Sequence, residues 1–101
     1  MPKISACIIS LNEEGKIEDC LESLKPVVDE IILVDSNSTD KTVEIASKYT
    51  DKIFTQDFLG YVGQRRLAVS KAENDWILSL DCDERLSPEL QASILAVKDS
   101  L

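Results

Sequence analysis

The sequence predicts an α/β fold, a parallel sheet with helices packed on both faces. Three observations support it. Continuous apolar runs of strand type alternate with segments of helical period, in the order β-α-β-α-β-α-β-α. The first two runs are nearly continuous in apolar residues, as strands covered on both faces are. The connections between them are short and rich in turn and helix-capping residues. Strands joined in this way run parallel with right-handed crossovers. In a doubly wound sheet the first four take the order 3-2-1-4.

The elements follow in chain order. Ile4 to Ile9 is the first apolar run, and Asn12-Glu13-Glu14-Gly15 breaks it. Ile17, Cys20, Leu21 and Leu24 then fall at i, i+3, i+4 and i+7, one face of a helix that Pro26 ends. Glu30 to Val34 is the second strand. The polar loop Asp35-Ser36-Asn37-Ser38-Thr39-Asp40 is rich in N-cap types. A helix over 41–49 follows, burying Val43, Ile45 and Ala46, and Lys52 to Thr55 is a short third strand. A glycine-containing loop from Gln56 to Gly63 leads into a third helix that ends near Ala72. Trp76 to Leu80 is the fourth strand. Ser87-Pro88-Glu89 supplies an N-cap, a proline at the first helical position and an acid in the first turn. Leu90, Ile94, Val97 and Leu101 continue that helix along one face.

A length of 101 residues gives one domain, with no linker, repeat or low-complexity segment inside it. Net charge is −8, which argues against nucleic acid or an anionic membrane held by bulk electrostatics. No apolar run approaches the roughly 20 residues that span a bilayer. Met1-Pro2-Lys3 leads into a strand pattern rather than a signal peptide. The absence of histidine removes His-based triads and histidine metal ligands. Cys7, Cys20 and Cys82 form no C-x-x-C pair, so neither a disulfide framework nor a zinc site is expected. Cys7 and Cys20 sit on apolar faces as small core residues. A reducing, cytoplasmic compartment fits, with at most peripheral contact at the inner face of the plasma membrane.

Ligands of such a sheet bind beyond the carboxyl ends of its strands. Those ends carry Asn12, Glu13 and Glu14, then Asp35, then Gln56 and Asp57, then Asp81 and Asp83. Glu14, Asp40 and Asp57 read equally well as loop solvation and helix caps. Asp35 and Asp81 each end an apolar strand directly, where an unpaired carboxylate is costly. In Leu80-Asp81-Cys82-Asp83-Glu84 the turn lets two carboxylates face one point. Mg²⁺ or Mn²⁺ takes one or two carboxylates plus phosphate oxygens and water, and a diphosphate-bearing substrate would complete that set. Glu84 and Arg85 read as scaffold or surface. Gly60-Tyr61-Val62-Gly63-Gln64-Arg65-Arg66 is the one locally basic stretch. Gln64 and Arg65 read equally as ligand contacts and as a solvated helix face, and Arg66 reads as the latter.

Three segments resemble family 2 glycosyltransferases. They are Ile-Ser-x-x-Ile-Ile-Ser-Leu-Asn-Glu-Glu from Ile4, Ile-Leu-Val-Asp-Ser-Asn-Ser-Thr-Asp-Lys-Thr from Ile32, and Asp-Trp-Ile-Leu-Ser-Leu-Asp-Cys-Asp-Glu-Arg-Leu from Asp75. Their order and spacing match the family over nearly the whole chain. The Gly-x-x-Gly-Gln-Arg-Arg stretch and the Asp-x-Asp-Glu-Arg ending look most like the bacterial lipopolysaccharide core β-glucosyltransferase branch. The resemblance implies a Rossmann-like, GT-A type fold, with residues 1–101 as its nucleotide-sugar-binding half. It implies a UDP-sugar donor, a divalent metal, a saccharide or lipid-linked acceptor, and inverting transfer in envelope polysaccharide or lipopolysaccharide synthesis.

Roles carry over by position. Asn12 and Glu13 match the loop against the nucleoside, and Asp35 matches the acid that hydrogen-bonds the uracil. Asp81 and Asp83 match D-x-D, the first facing the ribose and the second holding the metal on the diphosphate. Gln64 and Arg65 match a helix start that borders the base. Leu11 stands where many members have an aromatic beside the base, so stacking is weaker or supplied elsewhere. The general base of the family falls beyond Leu101, and no residue here takes that role.

Two rival readings remain. A haloacid-dehalogenase-like phosphatase also uses D-x-D after an apolar strand, but normally after the first strand and with a small or β-branched residue where Arg85 stands. A non-catalytic nucleotide-sugar-binding or assembly module would share the fold. The fourth strand, Trp76 to Leu80, is expected at the sheet edge, apolar and without Pro or Lys, features that favour a homodimer through that edge.

Overall fold

The computed structural model describes residues 3–100. Met1 and Pro2, and Leu101, which the apolar spacing assigns to the fourth helix, lie outside the described residues. Four strands form one parallel sheet: β1 (Ile4–Ser10), β2 (Glu30–Asp35), β3 (Ile53–Thr55) and β4 (Trp76–Asp81). The order is β3-β2-β1-β4, as the alternation predicts. The helices are α1 (Ile17–Leu24), α2 (Thr42–Ala46), α3 (Tyr61–Ser70) and α4 (Pro88–Ser100).

The two-residue period of the central strands builds two cores. Ala6, Ile8, Ile31 and Leu33 face one side, with Ile17, Cys20, Leu21 and Leu24 of α1, Ala46 of α2, and Cys82 and Leu86 beyond β4. Cys7, Ile32 and Val34 face the other side against Ala68 of α3. The i, i+3, i+4, i+7 face of α1 is fully buried, as its spacing requires. All three cysteines are buried and free. Burial, with Glu30 nearby, pushes the Cys7 thiol up to about 11. Burial, with Glu84 and Asp83 nearby, pushes Cys20 up to about 12, so both stay neutral.

Two helices differ from the sequence pattern. α2 buries Thr42 and Ala46, while Val43 and Ile45 are only half-buried. The Thr42 hydroxyl accepts from the Glu13 N–H at 2.8 Å, which ties the start of α2 to the first loop, while Ile45 still packs against the core. α4 buries no residue: Ile94 packs on the core, but Leu90 and Val97 are exposed. It follows the edge strand and has only the rim of the core to pack on. Polar ties hold it instead: Gln91 Nε2 donates to the Ser23 carbonyl at 2.7 Å and Lys98 Nζ to Asp29 at 2.7 Å. Ser87 caps it as expected, accepting from the Leu90 N–H at 3.1 Å. The outer edge of β4 has no strand beside it among the described residues, and Trp76 and Ile77 are exposed there.

The strand register positions the rim. Ser10 lies opposite Asp35, Ile9 opposite Asp81, and Asp35 opposite Thr55. The four strand ends are therefore level to within one residue, and their loops open onto one space.

Candidate functional site

That space is a cleft of about 420 Å³, walled by Ser10 at the end of β1 with Leu11 and Glu13 after it, Ser36 after β2, Phe58 and Tyr61 before and on α3, and Asp81 at the end of β4 with Asp83 after it. Its floor comes from the sheet, so its depth is fixed by the packing beneath.

The first two loops are tied together through buried Asp35. Its Oδ1 accepts from the Ser10 and Ser38 hydroxyls at 2.6 Å each, and its Oδ2 accepts from the Ser38 N–H at 2.7 Å. A carboxylate at a strand end inside a core is costly alone; three donors satisfy it. Asn12 adopts a left-handed backbone at φ 52°, which asparagine tolerates. Its N–H donates to Ser38 Oγ at 2.8 Å and its Oδ1 accepts from the Thr39 N–H at 2.8 Å. The Glu13 carbonyl accepts from the N–H groups of Lys16 and Ile17 at the start of α1, leaving its side chain to the cleft. Asp40 sits in the same lattice, accepting from Thr42 and from the Glu14 N–H. The Thr42 hydroxyl first, then these backbone N–H groups, hold its carboxyl below the usual range.

The D-x-D turn is set by Cys82. Its side chain is buried against α1, which turns Asp81 and Asp83 to the cleft side. Burial, with Cys20 and the surrounding acids, pushes its thiol well up, so it stays neutral. Asp81 N–H donates to Glu84 Oε1 at 2.8 Å, and Glu84 N–H returns to the Asp81 carbonyl at 2.9 Å. This reciprocal pair fixes the turn and gives Glu84 its scaffold role. Asp81 is held by an ion pair with Arg65. Asp83 is exposed and bonds to no described residue.

Gln64 is fully buried under the cleft wall. Its Nε2 donates to Ser36 Oγ at 2.9 Å, and its Oε1 accepts from the Leu59 N–H at 3.2 Å. The structure thus brings Glu13, Asp81 and Asp83 to the wall, puts Asp35 and Gln64 behind it, turns Asn12 to the neighbouring loop, and gives Arg65 to Asp81. The sequence reading gives no role to Ser10, Phe58 or Tyr61. Two exposed aromatics flanking Gly60 are the one signal that could have marked the last two.

Among the described residues, no cluster of three or more His, Cys, Asp or Glu side chains could hold a metal ion alone. The donor set nonetheless suits Mg²⁺ or Mn²⁺ shared with a phosphate ligand: two hard carboxylates on one turn, one of them free. No described helix is long and apolar enough to cross a membrane.

Comparison with known proteins agrees with this geometry. Residues 5–99 match Glycosyl transferase family 2. An uncharacterized glycosyltransferase of Rickettsia felis is 52% identical over 93% of this chain and 33% of its own length. The lipopolysaccharide core biosynthesis glycosyltransferase LpsC of Rhizobium meliloti is 37% identical over 100% of this chain and 41% of its own. The chain therefore spans a third to two fifths of these relatives. Staphylococcus aureus TarS in complex with UDP superposes with a TM-score of 0.74 at 27% identity, over 97% of this chain and 32% of that one. Glucosyl-3-phosphoglycerate synthase of Mycobacterium tuberculosis, in complex with Mn²⁺, UDP and glucosyl-3-phosphoglycerate, gives 0.67 at 27% identity, over 83% and 36%. Three sequence motifs, a parallel sheet of order 3-2-1-4 and the matched residues converge: the chain belongs to glycosyl transferase family 2.

Proposed function

We propose that the chain is the donor-binding part of a glycosyltransferase that takes a UDP-sugar with Mg²⁺ or Mn²⁺ and transfers the sugar with inversion. The observation that supports this most is the D-x-D turn, with Asp81 and Asp83 facing one cleft with Glu13 at the carboxyl end of a parallel sheet. The UDP and Mn²⁺ complexes of the two solved relatives support the choice of ligand. The likeness to LpsC supports a place in envelope saccharide synthesis with a saccharide or lipid-linked acceptor. Three free, buried thiols support a cytoplasmic setting.

In this proposal Asp83 and Asp81 would hold the ion, which would supply positive charge against the leaving diphosphate. Asp81 also faces the ribose, positioned by Arg65. The Asp35 network keeps the first two loops at fixed spacing for the nucleoside, with Asn12, Glu13 and Gln64 completing or bracing that wall. A preorganised polar wall of this kind spares the reaction the cost of reorienting solvent.

Thermal melting tests the proposal. UDP with Mn²⁺ at 100 times its Kd adds about 2.7 kcal/mol of stability, so the melt should move upward, and adenine nucleotides should move it less. An unmoved melt at millimolar UDP with metal overturns the proposal.

A further inference from the structure

The cleft carries an aromatic wall that no motif announces. Phe58 and Tyr61 are 52% and 70% exposed, and both line the cleft that Leu11 shares. Their rings meet edge to face, with centroids 5.2 Å apart and planes at 80°. Two large aromatics so open to water lose the burial that ordinarily places such residues.

The segment that presents them is closely built. Gly60 has φ 88°, a backbone that side-chain-bearing residues rarely adopt. A Cβ on Gly63 would meet Leu59 Cβ at 2.7 Å, so the absence of a side chain there lets Leu59 fold back on α3. Buried Gln64 accepts from the Leu59 N–H and donates to Ser36, and Asn37 Nδ2 donates to Asp57. The aromatic segment is thereby fastened to the loop that leaves β2, beside Asp35.

We propose that Phe58 and Tyr61 form the stacking platform for the nucleobase of the donor, one ring offering its face and the other, set at 80° to it, bracing that ring. The inference rests on the UDP-sugar reading of the cleft. Leu11 offers only aliphatic surface, 50% exposed, whereas an aromatic face stacks on a planar base. The platform recognises planarity, and hydrogen bonds to the base edge are left to other groups.

Competition binding on the full chain with Mn²⁺ tests this, using UDP and 5,6-dihydro-UDP. The second ligand keeps the hydrogen-bonding edge of uracil but loses its flat, conjugated ring. Phe58→Leu/Tyr61→Leu keeps apolar bulk and removes both aromatic faces at exposed positions; its melting temperature confirms folding. The wild-type chain should prefer UDP, the double variant should bind UDP roughly tenfold more weakly, and its preference should vanish. Phe58→Trp should retain the preference. An unchanged preference in the double variant, or none in the wild type, overturns the platform while leaving the UDP site standing. Failure of the wild type to bind UDP overturns the platform and the donor reading together.

Discussion

Arg65, one turn into α3, forms an ion pair with Asp81, the last residue of β4. The pair joins the helix on one face of the sheet to the D-x-D turn at its rim. Both side chains are over 40% exposed, so solvent screens the pair and its contribution to folding stays below about 1 kcal/mol. On the proposed donor-binding reading its consequence lies in binding, since it aims Asp81 and sets a positive charge beside an acidic rim.

Arg65→Gln should therefore leave the melting temperature almost unchanged and weaken UDP binding with Mn²⁺ several-fold. In a double-mutant cycle with Asp81→Asn the two changes should couple by about 1 kcal/mol or more in binding. Strict additivity in the UDP Kd would show that the pair has no part in the site.

Asp35 is a different case, because it has no solvent to fall back on. Asp35→Asn replaces an acceptor of three hydrogen bonds with an amide that presents N–H groups to donors. Urea denaturation should show a loss of about 2 kcal/mol. Ser10→Ala, removing one donor, should cost less than half of that. An Asp35→Asn variant as stable as the wild type would mean that the loops are not held through this carboxylate.

At the opposite end of the sheet, Glu30 gives stability a pH dependence. Burial alone would raise its pKa, but the Glu73 N–H, the Lys52 ammonium and the Ser5 hydroxyl together hold the carboxyl below its ordinary 4.5. A depressed folded-state value stabilises the fold above pH 4.5 and loses that contribution as pH falls through it. Glu30→Gln should cost about 1–3 kcal/mol near neutrality, and the gap to wild type should close on acidification. A gap that stays constant from pH 7 to pH 3 would contradict this.

Gly63→Ala sets two effects against each other. Alanine is the better helix former by about 1 kcal/mol, yet its methyl would sit 2.7 Å from Leu59 Cβ, an atom close to the backbone. Overpacking costs about 1–3 kcal/mol, so the clash should win and the variant should melt lower. A higher melting temperature would show that Leu59 moves freely and that the aromatic segment is loosely held.

Periodicity made the sheet legible. The continuous runs of β1 and β2 and the helical spacing of Ile17, Cys20, Leu21 and Leu24 leave one arrangement open once the strands alternate with helices. The same spacing placed α4 correctly but left its burial open, because a pattern of apolar positions does not say whether anything lies opposite: Leu90 and Val97 repeat correctly and face solvent. At the rim, the motifs located Asp81, Asp83 and Glu13. They could not distinguish wall from support. Gln64 and Asp35 read as polar residues near a ligand, and the folded chain buries both behind hydroxyl partners supplied by Ser10, Ser36 and Ser38. Those partners come from loops brought together by strand register, which short motifs do not encode.

The most direct test is isothermal titration of UDP into the full chain with and without Mn²⁺, for the wild type and for Asp83→Asn and Asp81→Asn. If Asp83 holds the ion and Asp81 faces the ribose, Mn²⁺ should tighten wild-type binding, and Asp83→Asn should abolish that gain while leaving the melt unchanged or raised, since clustered acids repel. Asp81→Asn should weaken uridine as well as UDP. Metal-independent UDP binding in the wild type, or identical effects of the two substitutions on uridine and UDP, would contradict the assignment.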